Sequence, residues 1–217
     1  DGLRERAERA AAGGIATTIH AIGDAAIRAA LGVLEPLATT SPLMPRIEHV
    51  QMLHPDDRGR FVAAGIAASV QPVHLGSDAI TAWKLWGDRA EAEGYTWKAI
   101  ADTGAVMPFG TDAPVESYDP WPGLALAVRR EDAGWPSGTP VYAEEQSLTL
   151  DRALRANCID GPVSARETDR GRLAVGQRAD VVVIPDASID EPVTPGGPLS
   201  TTRPHMVLMD GKVVFEI

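Results

Sequence analysis

The sequence predicts an α/β protein: half of a (β/α)8 TIM-like barrel followed by a small β appendage. Three observations carry that reading. Short apolar, β-branched runs alternate with helical patterns four times before residue 113. Polar side chains able to do chemistry stand where those runs end, at His20, His49, Gln71 and Asp112. The chain then closes on a hairpin signal around Asp210-Gly211. Alternation of strand and helix implies parallel strands joined by right-handed crossovers. Four such units make half of an eight-fold barrel, where chemistry sits at the carboxyl ends of the strands.

The elements follow in order. Leu3, Ala7, Ala10 and Ala11 share one face of an opening helix, which Gly13-Gly14 stops. Ile15 to Ile19 is β-branched and reads as a buried strand closed by His20. Asp24 is placed to cap a helix whose Ile27, Leu31 and Leu34 form a stripe. Pro36 and the loop Thr39-Thr40-Ser41-Pro42 end it. A second strand, from Ile47, reaches His49, and Pro55-Asp56-Asp57 starts a helix that Gly65 closes. Ile66 to Val70 is a third strand, ending at Gln71-Pro72. A long loop with His74, Asp78, Trp83 and Trp86 follows. Trp97 to Thr103 is a helix, and the fourth strand starts at Ala105 and runs to Asp112. Helices are expected near Leu124 to Arg130 and over Leu150 to Cys158, the latter capped by Thr149. Val181 to Ile184 is a strand, and Met206–Met209 and Lys212–Phe215 form the closing hairpin. The barrel portion is assigned to residues 1–160 and the β-sandwich portion, with its linker, to 161–217.

Composition narrows the function. At 217 residues and 44% hydrophobic content the chain can bury a substantial core. A net charge of -10 argues against nucleic acid and anionic membrane surfaces, which need a basic partner. No apolar run approaches the roughly 20 residues of a membrane span. The single Cys158 excludes an internal disulfide, and the first residues lack signal-peptide character. Together these favour a cytoplasmic protein. The chain opens without Met inside a helical pattern, which suggests a fragment.

Imidazole and carboxylate together suit zinc or a similar divalent ion, and an open coordination position lets the ion acidify water. A lone histidine after a strand is more often structural than a ligand. Two histidines and Asp112 at strand ends shift the balance to a metal site. Glu48 is expected on the opposite strand face from His49, in a salt bridge. His74, in a loop, is either a substrate contact or solvated. His54 reads as structural and His205 as exposed. Trp83, Trp86, Trp121 and Trp135 either wall a pocket over the strand ends or simply pack loops. Arg129 and Arg130 could hold a substrate carboxylate, although arginines on a helix surface usually do not. A nicotinamide-binding domain is disfavoured, because no strand is followed by Gly-x-Gly-x-x-Gly.

Five stretches resemble the amidohydrolase superfamily, and within it the YtcJ-like branch, amidohydrolase family 3. They are Ile19-His20-Ala21-Ile22-Gly23-Asp24, Arg46-Ile47-Glu48-His49, Ser69-Val70-Gln71-Pro72-Val73-His74, Phe109-Gly110-Thr111-Asp112-Ala113-Pro114, and Gly171-Arg172-Leu173 through Ala179-Asp180-Val181-Val182-Val183. The resemblance implies a metal-dependent hydrolase cleaving C–N bonds of small amide-type substrates on a distorted barrel with a small β-sandwich. It implies that His20 and His49 are metal ligands on strands five and six. Asp112, on strand eight, would be both ligand and general base, then protonate the leaving amine. His74 and Gln71 are assigned to substrate contact. The family's His-x-His on strand one has no counterpart here, nor does the strand-four Lys seen in many members. The chain therefore matches the C-terminal half. A half barrel exposes the strands ending at His20 and Asp112, which leads us to expect homo-oligomers through those edges. The rival reading is a non-catalytic half-barrel that assembles with another chain.

Overall fold

The structure is a computed structural model that describes residues 2–39, 41, 43–191 and 193–217. Helix α1 (Gly2–Ala12) buries only Ala7 of its expected face. Strand β1 (Thr18–Ala21) begins later than Ile15 and continues one residue past His20. Helix α2 (Asp24–Ala38) buries Ile27, Leu31 and Leu34 as its periodicity predicts. It also runs through Pro36, which was expected to end it. Pro36 cannot donate to the carbonyl four residues back. That carbonyl, on Gly32, instead accepts from Arg4 Nη2 at 2.9 Å, so the proline leaves no orphan group. Within the loop expected after it, Thr40 and Pro42 lie outside the described residues.

Strand β2 (Arg46–His49) precedes a single turn of 3-10 helix, Pro55–Asp57, and helix α3 (Arg60–Ala64). Gly65 closes α3 at φ 68°, the left-handed cap that glycine adopts without a Cβ clash. Strand β3 (Ala67–Ser69) is wholly buried. Next comes helix α4 (Val73–Trp86), where the sequence suggested a loop. Leu75, Ala79 and Ala82 supply its buried stripe. Pro72 and the early Gly76 and Ser77 disguise it. Helices α5 (Arg89–Glu93), α6 (Trp97–Asp102) and α7 (Trp121–Arg129) follow. Next are α8 (Leu150–Cys158), capped by the Thr149 side chain, and α9 (Asp160–Ser164).

The first sheet has the order β1-β2-β3, all parallel, with Thr18 beside Arg46 and Arg46 beside Ala67. The expected fourth strand is an extended segment rather than a full strand. Ala68 and Val70 donate to the carbonyls of Val106 and Pro108, both at 3.0 Å, and Val70 forms a parallel bridge with Phe109. The outer edge of this segment is not open, contrary to expectation. Met107 N–H donates to the buried Asp160 carboxylate at 3.2 Å, and Phe109 N–H to Ala156 O at 3.2 Å. Helices α8 and α9 thus cover it, leaving β1 as the edge of this sheet with no described strand beside it.

The remainder is a separate antiparallel sheet. Strand β4 (Val181–Val183), the short helix α10 (Ala187–Asp190) and strands β5 (Met206–Met209) and β6 (Lys212–Glu216) form it in the order β4-β5-β6. Asp210 and Gly211 turn the hairpin at φ 52° and 76°, the paired left-handed geometry that Asp-Gly favours. Among the described residues no helix is long and apolar enough to cross a membrane.

Candidate metal centre

Four strand ends and the loops after them build one site. The register sets His20 beside Glu48 and Ala21 beside His49. Strict alternation would therefore send His49 with the buried Ile47, away from His20. Instead His49 takes φ 76° and Val50 φ 46°. These are costly values for residues with a Cβ, most of all for a β-branched one. The kink brings the His49 ring edge-on to His20, with centroids 4.4 Å apart. Asp112 also sits in the left-handed region, at φ 60°. Two of the residues that the sequence singled out are thus placed by unusual backbone.

His74 lies in the first turn of α4, not in a loop, and is buried. Its ring centroid is 5.7 Å from that of His49, and its Nε2 is 3.5 Å from Asp112 Oδ2. One ligand atom each from His49, His74 and Asp112 lie within 4.8 Å of one another. His20 flanks this group through His49 but is not part of it.

Gln71, buried at the end of β3, donates through Nε2 to Glu48 Oε2 at 3.2 Å. That bond fixes the amide orientation and leaves Oε1 buried without a partner. Glu48 pairs with Arg46 at 2.9 Å, the salt bridge that the sequence suggested. It does not, however, face away from His49. Both line a cavity of about 310 Å³ together with Arg46, Gln71, Phe109 and Asp112.

Burial holds the His49 imidazole below its ordinary pKa, and the positive ends of His20 and His74 add to that; Asp112 and Glu48 oppose it. A neutral imidazole is the form that binds metal. Its Nδ1 is buried and has no hydrogen-bond partner. Tetrahedral zinc, with bonds of about 2.0–2.1 Å, needs neighbouring ligand atoms roughly 3.4 Å apart. The 3.5 Å between His74 and Asp112 meets this, so the residues present fit a divalent ion.

Other residues are set aside. His54 Nδ1 accepts from Asp56 N–H and caps the 3-10 turn, and His205 is exposed. Arg129 pairs with Glu131 on the surface, while Arg130 is wholly buried under Trp97 and Tyr142, out of a substrate's reach. Trp83, Trp86 and Trp135 pack with Tyr95 and Tyr142 against the core. Asp24 caps nothing beyond its neighbour Ala25 and instead pairs with Arg89. The sequence reading missed Glu116, whose Oε1 is 3.5 Å from His74 Nδ1, and Ser77, which donates to Glu116 at 2.8 Å. Neither stands in a periodic pattern that would have marked it.

The sequence model of the amidohydrolase family matches residues 1–215, so the chain belongs to the amidohydrolase family, family 3, in its YtcJ-like branch. It is 33% identical over 183 residues to the Protein LONG AFTER FAR-RED 3 of Arabidopsis thaliana, covering 82% of this chain and 31% of that one. It is 28% identical over 207 residues to the YtcJ protein of Bacillus subtilis (strain 168), covering 94% and 38%. The crystal structure of an uncharacterized metal-dependent hydrolase from Pyrococcus horikoshii OT3 superposes with a TM-score of 0.70 at 30% identity. That match covers 82% of this chain and 35% of that one. The chain thus spans about a third of the length of the relatives it matches.

Proposed function

We propose that the chain is the C-terminal part of a metal-dependent hydrolase, half of a (β/α)8 barrel, that cleaves C–N bonds of small amide-type substrates. The observation that carries this is the convergence of His49, His74 and Asp112, whose ligand atoms lie within 4.8 Å of one another beside the ends of parallel strands. His20, His49 and Asp112 are the ligands that the resemblance implies, and the grouping of ligand atoms supports His74 beside His49 and Asp112. A divalent ion bound there, for which zinc suits the donor set, would polarise the substrate carbonyl and acidify water.

The chain's own residues supply the rest. Asp112, partly exposed at the cavity mouth, accepts a proton from the attacking water. It returns that proton to the amine nitrogen as the C–N bond breaks, so a carboxylic acid and an amine leave. Gln71 Oε1, an acceptor without a partner beside the cavity, is matched to a substrate N–H. Gln71 lines the space in which the substrate would lie, and His74 stands with the ligand atoms instead. The uncovered edge of β1 supports a second element of the reading, association through that edge with a further copy or another segment.

The test is to titrate the purified chain with zinc against a competing chelator, beside Asp112→Asn and His49→Ala, and to assay N-acyl amine hydrolysis. Weak zinc binding that both variants abolish, with no turnover by the 217-residue chain, is expected. Zinc uptake indifferent to both substitutions would remove the metal site. Turnover sensitive to Asp112→Asn would show that this part is catalytically complete by itself.

A further inference from the structure

We propose that Glu116 is a positioning residue for His74. With Ser77 it holds the imidazole N–H on Nδ1, so that the Nε2 lone pair faces Asp112 and His49. The His74 ring lies between two carboxylates, one at each nitrogen. Asp112 Oδ2 is 3.5 Å from Nε2, and Glu116 Oε1 is 3.5 Å from Nδ1. A neutral imidazole has one N–H to give. Asp112 belongs to the group that fits a cation, and a cation there takes up both its charge and the lone pair on Nε2. Without an ion the two carboxylates compete at equal distance, and Glu116 is the better placed of them: it is the less exposed, 26% against 38%, and the one fastened by a hydroxyl.

Glu116 is itself tied down. The Ser77 hydroxyl has two acceptors in reach, Glu116 Oε1 at 2.8 Å and the His74 carbonyl at 3.2 Å. It has one proton, and the shorter contact to a charged acceptor takes it. The carboxylate is thereby fastened to α4 three residues beyond His74, on the helix that carries the ring. The His74 main chain is fixed as well, its N–H donating to Gln71 O at 3.1 Å. Ring, carboxylate and hydroxyl thus form one unit in which the tautomer is set by a group that never touches the substrate cavity. Partners of this kind typically contribute 10–100-fold to metal affinity.

What Nε2 is used for rests on the metal reading above; the tautomer does not. The first experiment therefore uses the metal-free, ¹⁵N-labelled chain with chelator present, reading both His74 ring nitrogens by long-range ¹H–¹⁵N correlation at mildly alkaline pH. Nδ1–H should predominate in the parent chain, shift towards Nε2–H in Glu116→Ala, and shift less in Ser77→Ala. Glu116→Gln, which keeps an acceptor without the charge, should fall between parent and alanine. An unchanged tautomer in a folded Glu116→Ala chain overturns the proposal. The second experiment measures zinc binding by competition. A loss of about 10-fold or more in Glu116→Ala is expected, and equal affinity overturns the role. A parent chain that takes up no zinc sinks the metal reading, while the tautomer measurement still decides this one.

Discussion

The His20 ring meets the His49 ring edge to face, its plane inclined at 68° and its centroid 4.4 Å away. Protonating either imidazole places a charge against the other. His49 is held below its ordinary value of 6.5, first by burial and next by His20. In the unfolded chain His49 takes up a proton near that ordinary value, and in the folded chain only at lower pH. The unfolded state therefore binds more protons in between. Stability of the metal-free chain should fall as pH drops from about 6.5 towards the depressed value, and level off below it. His20→Ala should raise the His49 pKa and shallow that slope, as NMR titration and denaturant midpoints across pH 5–7 would show. An identical slope in His20→Ala would mean that burial alone sets it.

His20 and His74 compete for the role of second imidazole ligand. His74→Ala removes an atom from the group that fits one ion, whereas His20→Ala removes a neighbour. Zinc affinity should therefore drop more in His74→Ala than in His20→Ala for the isolated chain. The reverse order, read by chelator competition, would restore the ligand set that the resemblance implies.

That contest shows what the sequence could and could not reveal. The strand-end positions of His20 and His49 were legible because short apolar runs broken by turn residues mark strand termini. The parallel pairing followed from the alternation of strand and helix, and the closing hairpin from Asp210-Gly211. Helix α4 was not legible: Pro72 stands at its cap, Gly76 and Ser77 come early in it, and only packing of Leu75, Ala79 and Ala82 makes it a helix. With α4 hidden, His74 had no fixed direction and Glu116 no visible partner. The Asp160 bond that covers the edge of the fourth segment joins residues far apart in the chain, and no periodicity encodes such a contact.

Arg130 should be costly to lose. It donates to Tyr142 O at 2.8 Å and Tyr95 O at 2.9 Å while its guanidinium lies 4.6 Å from the Trp97 ring centroid. Burial pulls its pKa down to about 10, so it remains charged at neutral pH. Arg130→Ala takes the donor from the buried Tyr142 carbonyl and one of two donors from Tyr95 O, which Trp97 N–H still serves, a loss of about 2 kcal/mol or more. Its backbone is at φ 60°, so Arg130→Gly should be about 1 kcal/mol less damaging than alanine. Chemical denaturation checks both; a loss under about 1 kcal/mol in Arg130→Ala would refute the assignment.

Asp24 offers a surface counterpart. Its hydrogen bond with Arg89 at 2.5 Å, followed by the bond from Ala25 N–H, holds its carboxyl below the usual 3.8. A depressed acid stabilises the fold above its unfolded value and loses that contribution as pH falls through the folded one. Asp24→Asn should be slightly less stable than the parent at pH 7 and indistinguishable from it once pH falls below the depressed value. A gap persisting in acid would point to packing rather than charge.

The left-handed backbone at His49, Val50 and Asp112 has a further consequence for how the molecule opens. Strain at these strand ends lowers the cost of leaving the native geometry locally, while the buried sheet behind them has no such release. Thermal agitation should therefore loosen the ligand-bearing turns well before the sheet, so that the site is lost as a discrete event ahead of global unfolding. An ion bound across His49 and Asp112 would tie two such turns together and merge those events into one. Readiness to receive a ligand and readiness to fray would then be the same property of three residues' main chain.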